Sequence, residues 1–209
     1  AGREGKTQLP VYAVDGIKPF ASESTAIGTR GLLGLDSALY WCAARQLFKV
    51  DSVGTVTSLG GIADDGKVVM ARNAKAPNPQ IALVTNGGLR FIIENDVISP
   101  ITDSDLPPPN SVDYIGGYFV FSIADGRFFW SSIEEGTEID ALDFATAEAD
   151  PDGLKRLKVN RQQVYLFGNK TTEVWAPTGN ADDAFRRISG TDIDKGCIAT
   201  HSVEIGRAS

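Results

Sequence analysis

The chain has 209 residues, a formal net charge of −7 and 42% hydrophobic residues, which is typical of a globular protein with a sizeable core. The negative charge argues against a large nucleic-acid footprint, because nonspecific DNA binding depends on many Lys and Arg side chains that neutralise phosphates. No apolar run approaches the roughly 20 residues of a membrane helix, and the first ten residues lack the apolar stretch of a signal peptide. We therefore expect a soluble protein with no membrane partner.

Strand-like segments begin at regularly spaced positions along the chain. The starts lie near Gly31, Val68, Ser111, Leu154 and Cys197, at intervals of 37 to 43 residues. The intervals hold short segments rich in β-branched and aromatic residues, which favour strands. A repeat of this length is typical of the four-stranded blades of a β-propeller.

Turn residues separate these segments. Asn86-Gly87, Gly116-Gly117 and Asp125-Gly126 are pairs that suit tight hairpin turns, because Gly, Asn and Asp tolerate positive φ. The sequence thus predicts an all-β fold, a β-propeller of four-stranded antiparallel blades in a single domain over residues 1–209. The predicted parts are N-terminal strands in residues 1–30, blades at roughly 31–67, 68–110, 111–153 and 154–196, and the start of a further blade in 197–209.

Four blades and a leftover strand do not obviously close a ring, as a propeller requires. The N-terminal segment PVYAVDGIKPFA could complete the ring beside the last strand. Alternatively, the chain is an incomplete propeller, or a fragment of a longer one. A helix is conceivable only over Ile139 to Glu148, where apolar residues recur at helical spacing. The competing interpretation of this segment is a loop at the edge of the third blade.

Residues suited to catalysis or metal binding are sparse. His201 is the single histidine, so a triad or a multi-histidine metal site would have to form around it, and nothing nearby in the sequence supports one. Cys42 and Cys197 lie among small and apolar neighbours, which is typical of buried free cysteines. We therefore predict no catalytic residue, no metal ligand and no cofactor. Trp41, Trp130 and Trp175 recur at about one per blade, which favours packing between blades over an aromatic binding platform.

Three segments within residues 111–197 are distinctive: DYIGGYFVFS, IDALDFATAE and LFGNKTTEVWAPTGNADDAFRRISG. Through them, this region resembles the packaged-DNA stabilization family of short-tailed phages, whose members are tail hub proteins. The first half of the chain matches the family only in general form.

The resemblance implies a non-enzymatic structural protein in the phage tail, made in the cytoplasm of the bacterial host. Its implied partners are the portal or its adaptor, the tail needle or tailspikes, and further copies of itself in a ring, six in the virion. Packaged double-stranded DNA would lie near the protein only through proximity in the virion and would not be bound by it. Within the resembling region we take Asp140, Asp143 and Glu148 as weak candidates for a partner interface.

Two other functions remain open from the sequence. The repeat alone would suit a general protein-binding propeller of a bacterium or prophage. The acids and tryptophans would suit a sugar-active propeller enzyme, with Glu134, Glu135, Asp140 and Asp143 as the carboxylates to test.

Overall fold

The computed structural model describes Gly16 and residues 18–147, 152–180 and 183–203. These residues form four sheets of four strands, which we number as blades 1 to 4 in chain order. Blade 1 consists of β1 (Thr29–Leu35), β2 (Ala38–Ala43), β3 (Gln46–Val50) and β4 (Val56–Gly61). Blade 2 consists of β5 (Val68–Arg72), β6 (Ile81–Thr85), β7 (Arg90–Glu94) and β8 (Val97–Pro100). Blade 3 consists of β9 (Pro109–Ile115), β10 (Tyr118–Ile123), β11 (Arg127–Trp130) and β12 (Phe144–Thr146), and blade 4 of β13 (Leu154–Asn160), β14 (Gln163–Gly168), β15 (Thr172–Pro177) and β16 (Phe185–Arg187).

Every blade is an antiparallel meander in which neighbours in sequence are neighbours in the sheet. Tight turns make this possible. Gly116 and Gly117 both have positive φ (62° and 97°) between β9 and β10, and Arg161 and Gln162 adopt the same sign (47° and 64°) between β13 and β14. Positive φ at both central residues gives a twist that matches the flanking strands. The predicted all-β propeller of four-stranded blades is confirmed.

The apolar core lies between blades, in three clusters that each join two consecutive blades. Between blades 1 and 2 it includes Tyr40, Cys42, Leu47, Val68, Ile81 and Leu83. Between blades 2 and 3 it includes Ala82, Val84, Ile92, Phe119, Phe121 and Phe129. Between blades 3 and 4 it includes Val120, Phe128, Trp130, Val164, Leu166 and Phe185. Burial of these side chains at about 25 cal/mol per Å² is the main source of stability.

The blades form an open arc. Their innermost strands contact one another in the order β1, β5, β9, β13. Among the described residues, no core cluster joins blade 4 to blade 1. Within the described ranges, no preceding blade packs on one face of blade 1, and no following blade packs on one face of blade 4. We call these the first face of blade 1 and the last face of blade 4.

The helix considered over Ile139 to Glu148 is wrong for the described residues 139–147, which form a turn followed by a short strand; Glu148 lies outside the described residues. The Asp140 side chain accepts a hydrogen bond from Leu142 N (2.9 Å), and Asp143 N donates to Asp140 O (3.0 Å), so the chain turns instead of coiling. It then pairs with β11 as β12, where Phe144 lies opposite Phe129. Within the described ranges, no helix is long and apolar enough to span a membrane.

The two ends of the chain are only partly described. Residues 18–28 and 197–203 form bends, turns and irregular segments without strands. Residues 1–15, 17 and 204–209 lie outside the described residues, as does most of the segment PVYAVDGIKPFA. The N-terminal strands and the further blade therefore stay predictions.

Candidate interaction surfaces

The first face of blade 1 carries an exposed leucine beside a tryptophan. Leu32 is 56% exposed and lies opposite Trp41 in the register of β1 and β2. Trp41 packs against Phe48, with ring centroids 5.6 Å apart, and its Nε1 donates to Thr29 Oγ1 (3.0 Å). These contacts hold the indole ring in place next to Leu32. Trp130 and Trp175 differ from Trp41, because they pack between blades 3 and 4, as predicted.

The last face of blade 4 carries two partly exposed aromatic side chains. Tyr165 and Phe167 stack on this face of β14, with ring centroids 6.5 Å apart and an interplanar angle of 22°. Residues 188–203 run from the outer part of blade 4 back to its innermost strand. Thr172 and Ile193 exchange two backbone hydrogen bonds (2.9 and 3.0 Å), Cys197 N donates to Gly168 O (2.7 Å), and Arg156 Nη1 donates to Thr200 O (3.3 Å). A cleft of about 590 Å³ lies between this segment and the aromatic pair.

The predicted interface acids lie at the outer edge of blade 3. Asp140 is exposed and Asp143 is half-buried, whereas Glu148 lies outside the described residues. Burial, and then the charge of Asp140, raise the pKa of Asp143. Leu142, between the two acids, is 82% exposed. The structure thus brings two of the three candidates together around an exposed leucine.

Glu134 and Glu135 belong to a hydrogen-bonded network between blades 2 and 3, centred on the buried Gln80. Gln80 Nε2 donates to Glu94 Oε2 (2.9 Å) and to Glu135 Oε1 (2.8 Å), while its Oε1 accepts from Gly136 N (2.8 Å). Lys75 Nζ bridges the same two carboxylates, at 3.0 Å from Glu94 and 2.8 Å from Glu135. We call this set the Gln80 network.

Two further contacts extend the Gln80 network. Asn73 Oδ1 accepts from Gln80 N (2.6 Å), and Asn73 Nδ2 donates to Glu134 O (3.2 Å). The Glu134 side chain accepts from Ala74 N (3.0 Å) and from the Tyr114 hydroxyl. Both glutamates are thus engaged in holding blade 3 against the β5–β6 loop of blade 2.

The network changes the pKa values of its members. Burial raises the pKa of Glu135, but hydrogen bonds from Gln80, Lys75 and Thr137 outweigh it and lower that pKa to about 2. Burial, followed by the hydrogen bond to Glu134, raises the pKa of Tyr114 to about 12. Glu135 therefore stays ionised at neutral pH and Tyr114 stays protonated. Glu135 therefore lacks the raised pKa that a general acid needs, and its carboxylate forms an ion pair with Lys75.

Asp64 holds blades 1 and 2 together in a comparable way. It accepts hydrogen bonds from Gly66 N (2.7 Å) and from Gly87 N (2.9 Å) in the β6–β7 turn. The backbone hydrogen bond from Gly66, followed by one from Thr85, lowers the pKa of Asp64 to about 2. The buried Arg30 lies 4.0 Å from the carboxylate and donates through Nη1 to Ala44 O (3.0 Å).

The remaining residues of chemical interest have structural surroundings. His201 Nδ1 lies 3.4 Å from Arg156 Nη1, and burial, followed by the charges of Arg156 and Lys67, lowers the pKa of His201. Cys42 is fully buried, as predicted, whereas Cys197 is partly exposed. Within the part of the chain that the structure describes, no three His, Cys, Asp or Glu side chains are arranged to hold a metal ion.

Sequence reasoning missed the Gln80 network and the exposed pairs on the two terminal faces. Gln80 and Glu135 are 55 residues apart, and no motif marks either. Tyr165 and Phe167 alternate with the apolar Val164 and Leu166, so β14 looks apolar on both faces. That pattern is the one available signal, because a strand apolar on both faces needs a partner on each.

Several solved structures are similar to this chain. The computationally designed Ika4 protein matches with a TM-score of 0.55 and 13% identity, over 76% of this chain and 98% of that chain. BamB from Moraxella catarrhalis matches with a TM-score of 0.55 and 16% identity, over 74% of this chain and 45% of that chain. The designed Ika8 protein matches with a TM-score of 0.53 and 14% identity, over 80% of this chain and 49% of that chain. At these identities the matches show the fold alone.

The chain thus spans almost the full length of Ika4 but about half the length of BamB and Ika8. A search of curated proteins found no match. A family model described as bacteriophage P22 Gp10, beta-propeller, matches residues 12–205. That range contains all sixteen described strands and includes the first half of the chain, where the resemblance of the sequence was only general. The chain belongs to this phage stabilisation family of β-propellers.

Proposed function

We propose that the protein is a non-enzymatic structural protein of the phage virion, a tail hub in the head-to-tail connector that retains packaged DNA and docks further tail components. The observation that carries this proposal is the family match over residues 12–205. The proposed partners are the portal or its adaptor above the hub and the tail needle or tailspikes below it. The proposed setting is the virion tail, in a ring of six copies, after assembly in the host cytoplasm.

The way the blades are joined supports a mechanical role. Apolar clusters fill all three contacts between consecutive blades, and Asp64 and the Gln80 network add polar links at two of them. Buried polar groups that are fully hydrogen-bonded favour one arrangement of neighbouring elements, because any displacement leaves them unpaired. Such an arc resists deformation, as a protein that retains pressurised DNA must.

The charge of the chain supports a role in which the protein lies near DNA but does not bind it. A net charge of −7 disfavours contact with the phosphate backbone. DNA could then leave the head past the hub without adhering to the protein. Proximity to packaged DNA is thus part of the proposal, and specific recognition of DNA is not.

The outer edge of blade 3 is the surface we assign to a tail component. Leu142 is 82% exposed and Phe144 is 37% exposed, and Asp140 lies beside them. Leu142 and Phe144 together form a small apolar patch rimmed by charge, and apolar patches with polar rims are typical of protein-binding sites. Phe144 stacks on Phe129 with centroids 5.2 Å apart, so its position is fixed before any partner binds.

Loss of the gene in the phage tests the proposal. We expect heads that package DNA and then lose it, and particles without distal tail parts, when lysates are imaged by electron microscopy and encapsidated DNA is quantified. Full and stable heads with complete tails would contradict a role in DNA retention. Complementation with the intact gene should restore both the DNA content and the tails.

A matched pair of variants tests the assigned surface. Leu142→Asp should reduce the fraction of particles with distal tail parts, because it places a charge in the proposed contact. Val53→Asp is the control, since Val53 is 80% exposed in the β3–β4 turn of blade 1. If the two variants gave equal fractions of particles with distal tail parts, the outer edge of blade 3 would not be the docking surface.

A further inference from the structure

Asn86 and Gly87 form the only asparagine–glycine pair of the chain, and they lie in the β6–β7 turn of blade 2. Such a pair is chemically labile, because glycine has no side chain to obstruct the attack of its nitrogen on the asparagine amide. Asn86 is exposed to solvent. A site that can be modified without any enzyme therefore lies next to the contact between blades 1 and 2.

The reaction of such a pair begins at the backbone nitrogen of Gly87. Hydroxide takes the proton of this nitrogen, the nitrogen bonds to Cγ of Asn86, and the Cγ–Nδ2 bond breaks as ammonia leaves with a proton from water. Water then opens the resulting cyclic imide at one of its two carbonyl carbons, which leaves aspartate or isoaspartate at position 86. No electrons are exchanged, and water is the only co-reactant.

The fold holds the reacting nitrogen in a hydrogen bond. Gly87 N donates to Asp64 Oδ2 (2.9 Å), while Gly66 N donates to Oδ1 of the same carboxylate (2.7 Å). A backbone hydrogen bond from Asn86 N to Lys67 O (3.0 Å) fixes the turn against the same loop. The proton that must leave Gly87 is thus the one that the Asp64 carboxylate binds.

The charge of Asp64 opposes the loss of that proton. The backbone hydrogen bond from Gly66 is the main reason that the pKa of Asp64 is lowered to about 2, so the carboxylate is ionised at neutral pH. A negative charge 2.9 Å from the nitrogen disfavours a second negative charge there, because like charges repel. A carboxylate with so low a pKa is also a poor proton acceptor, so it does not promote the reaction as a base.

We propose that Asn86–Gly87 is a latent deamidation site and that Asp64 protects it in the folded chain. Deamidation would place a new carboxylate beside the Asp64 loop, since a Cβ added at Gly66 would lie 2.9 Å from Asn86 Cβ. Isoaspartate would instead insert one more carbon into the main chain of the turn. Either product would weaken the link between blades 1 and 2. The proposal does not depend on the proposed function, because it follows from the chemistry of this turn.

Peptide mass spectrometry after incubation of the purified chain at mildly alkaline pH tests the proposal. Trypsin cleavage after Lys75 and Arg90 releases residues 76–90, in which Asn78 precedes a proline and so has no following N–H to react. Fragmentation of this peptide assigns the mass gain to Asn86, and a synthetic peptide of the same residues gives the unprotected rate. We expect the folded chain to react at least about tenfold more slowly than the peptide, the scale set by a hydrogen bond to a charged group.

Variants of Asp64 separate protection by the carboxylate from the rigidity of the fold. Asp64→Ala removes both the charge and the acceptor, and should raise the rate at Asn86 about tenfold. Asp64→Asn keeps the size of the side chain but not its charge, and should raise the rate by a smaller factor. Asp65→Asn is the matched control and should leave the rate unchanged, because Asp65 is exposed and pairs with Arg45.

Gln80→Leu is the second control, because it weakens the contact between blades 2 and 3 without touching this turn. If Gln80→Leu raised the rate at Asn86 as much as Asp64→Ala, general destabilisation would explain the reaction and the proposal would be overturned. It would also be overturned by a folded wild type that reacts as fast as the peptide, or by an Asp64→Ala protein that reacts no faster than the wild type. Circular dichroism shows whether each variant is folded, and Asp64→Asn carries the test if Asp64→Ala is not.

Discussion

The contact between blades 3 and 4 and the last face of blade 4 are built from the same kinds of residue, yet they differ in burial. Phe128 is fully buried and contacts the rings of Trp130, Trp175 and Phe185. Phe167 is partly exposed and stacks on Tyr165. Both lie on strands of a four-stranded blade that carry apolar residues on both faces. The presence of a neighbouring blade, rather than the pattern of the strand itself, therefore decides which aromatic residues stabilise the molecule.

The largest expected effect comes from truncation of these two phenylalanines. Phe128→Ala should lower the free energy of unfolding by about 3–5 kcal/mol, because it leaves a cavity among three rings. Phe167→Ala should cost about 1 kcal/mol or less, since Phe167 is partly exposed and water already reaches its side chain. Urea denaturation followed by circular dichroism measures both. Equal losses would mean that the last face is as well packed as an internal contact.

Loss of the polar link between blades 2 and 3 should have the next largest effect on the free energy of unfolding. Gln80→Leu leaves the Glu94 and Glu135 carboxylates without their amide donor, and should cost about 2–4 kcal/mol of unfolding free energy. Arg45→Ala is the control, because it removes an ion pair with Asp65 whose side chains are 64% and 67% exposed. Water screens an exposed pair of this kind, so its loss should change the free energy of unfolding little. A Gln80→Leu protein as stable as the Arg45→Ala protein would refute a structural role for the network.

Acid should weaken the internal contacts before it affects the terminal faces. The folded-state pKa values of Glu135 and Asp64 are lowered to about 2, so each carboxylate stabilises the fold above its unfolded-state pKa. That stability is lost as the pH falls from about 5 to about 2, with a combined loss on the order of 1–2 kcal/mol after allowance for partial exposure. Denaturant titrations across this pH range measure the loss.

Two substitutions test whether Glu135 and Asp64 cause the loss of stability at low pH. Glu135→Gln and Asp64→Asn should each flatten the decline in unfolding free energy between pH 5 and pH 2, because the substituted side chain does not titrate. Glu23→Gln should flatten the decline less, because the hydrogen bonds from Thr25 that lower the pKa of Glu23 are local and lie outside the contacts between blades. An unchanged slope in the first two variants would show that other carboxylates govern the loss.

The smallest expected effect concerns the edge of blade 3. Burial, and then Asp140, raise the folded-state pKa of Asp143, so its charge disfavours the folded state at neutral pH. Asp143→Asn should therefore raise the unfolding free energy at pH 7 by about 0.5 kcal/mol. The gain should vanish near pH 3, where the wild-type carboxyl is protonated. A loss of stability at pH 7 would instead indicate that the carboxylate makes a favourable contact.

The repeat could be found from the sequence because each blade begins and turns alike. Innermost strands begin at Thr29, Val68, Pro109 and Leu154, close to the predicted starts, since hairpin turns and alternating apolar residues are local signals. Ile139, Leu142 and Ala145 have helical spacing, but Leu142 is 82% exposed and Ala145 lies in β12. Hydrogen bonding of the Asp140 side chain to the backbone opposed the helix there.

The sites were harder to predict from the sequence than the fold was, because they combine residues from different blades. Gln80 reaches Glu135 only once blade 3 has packed against blade 2, and the pairing of Asp64 with Gly87 likewise needs a folded turn. Tyr165 and Phe167 look like core residues in the sequence, and in three of the four blades their equivalents are core residues. Whether a blade has a following neighbour is a property of the assembled ring, which the pattern of one strand does not record.

A crystal or electron-microscopy structure of the purified chain tests the central claim most directly, namely that contacts between consecutive blades bury aromatic and apolar residues whose equivalents on blade 4 stay partly exposed. We predict that Val120 and Phe128 lie buried between blades 3 and 4, whereas Tyr165 and Phe167 remain partly exposed. Complete burial of Tyr165 and Phe167 within a single copy would contradict the account.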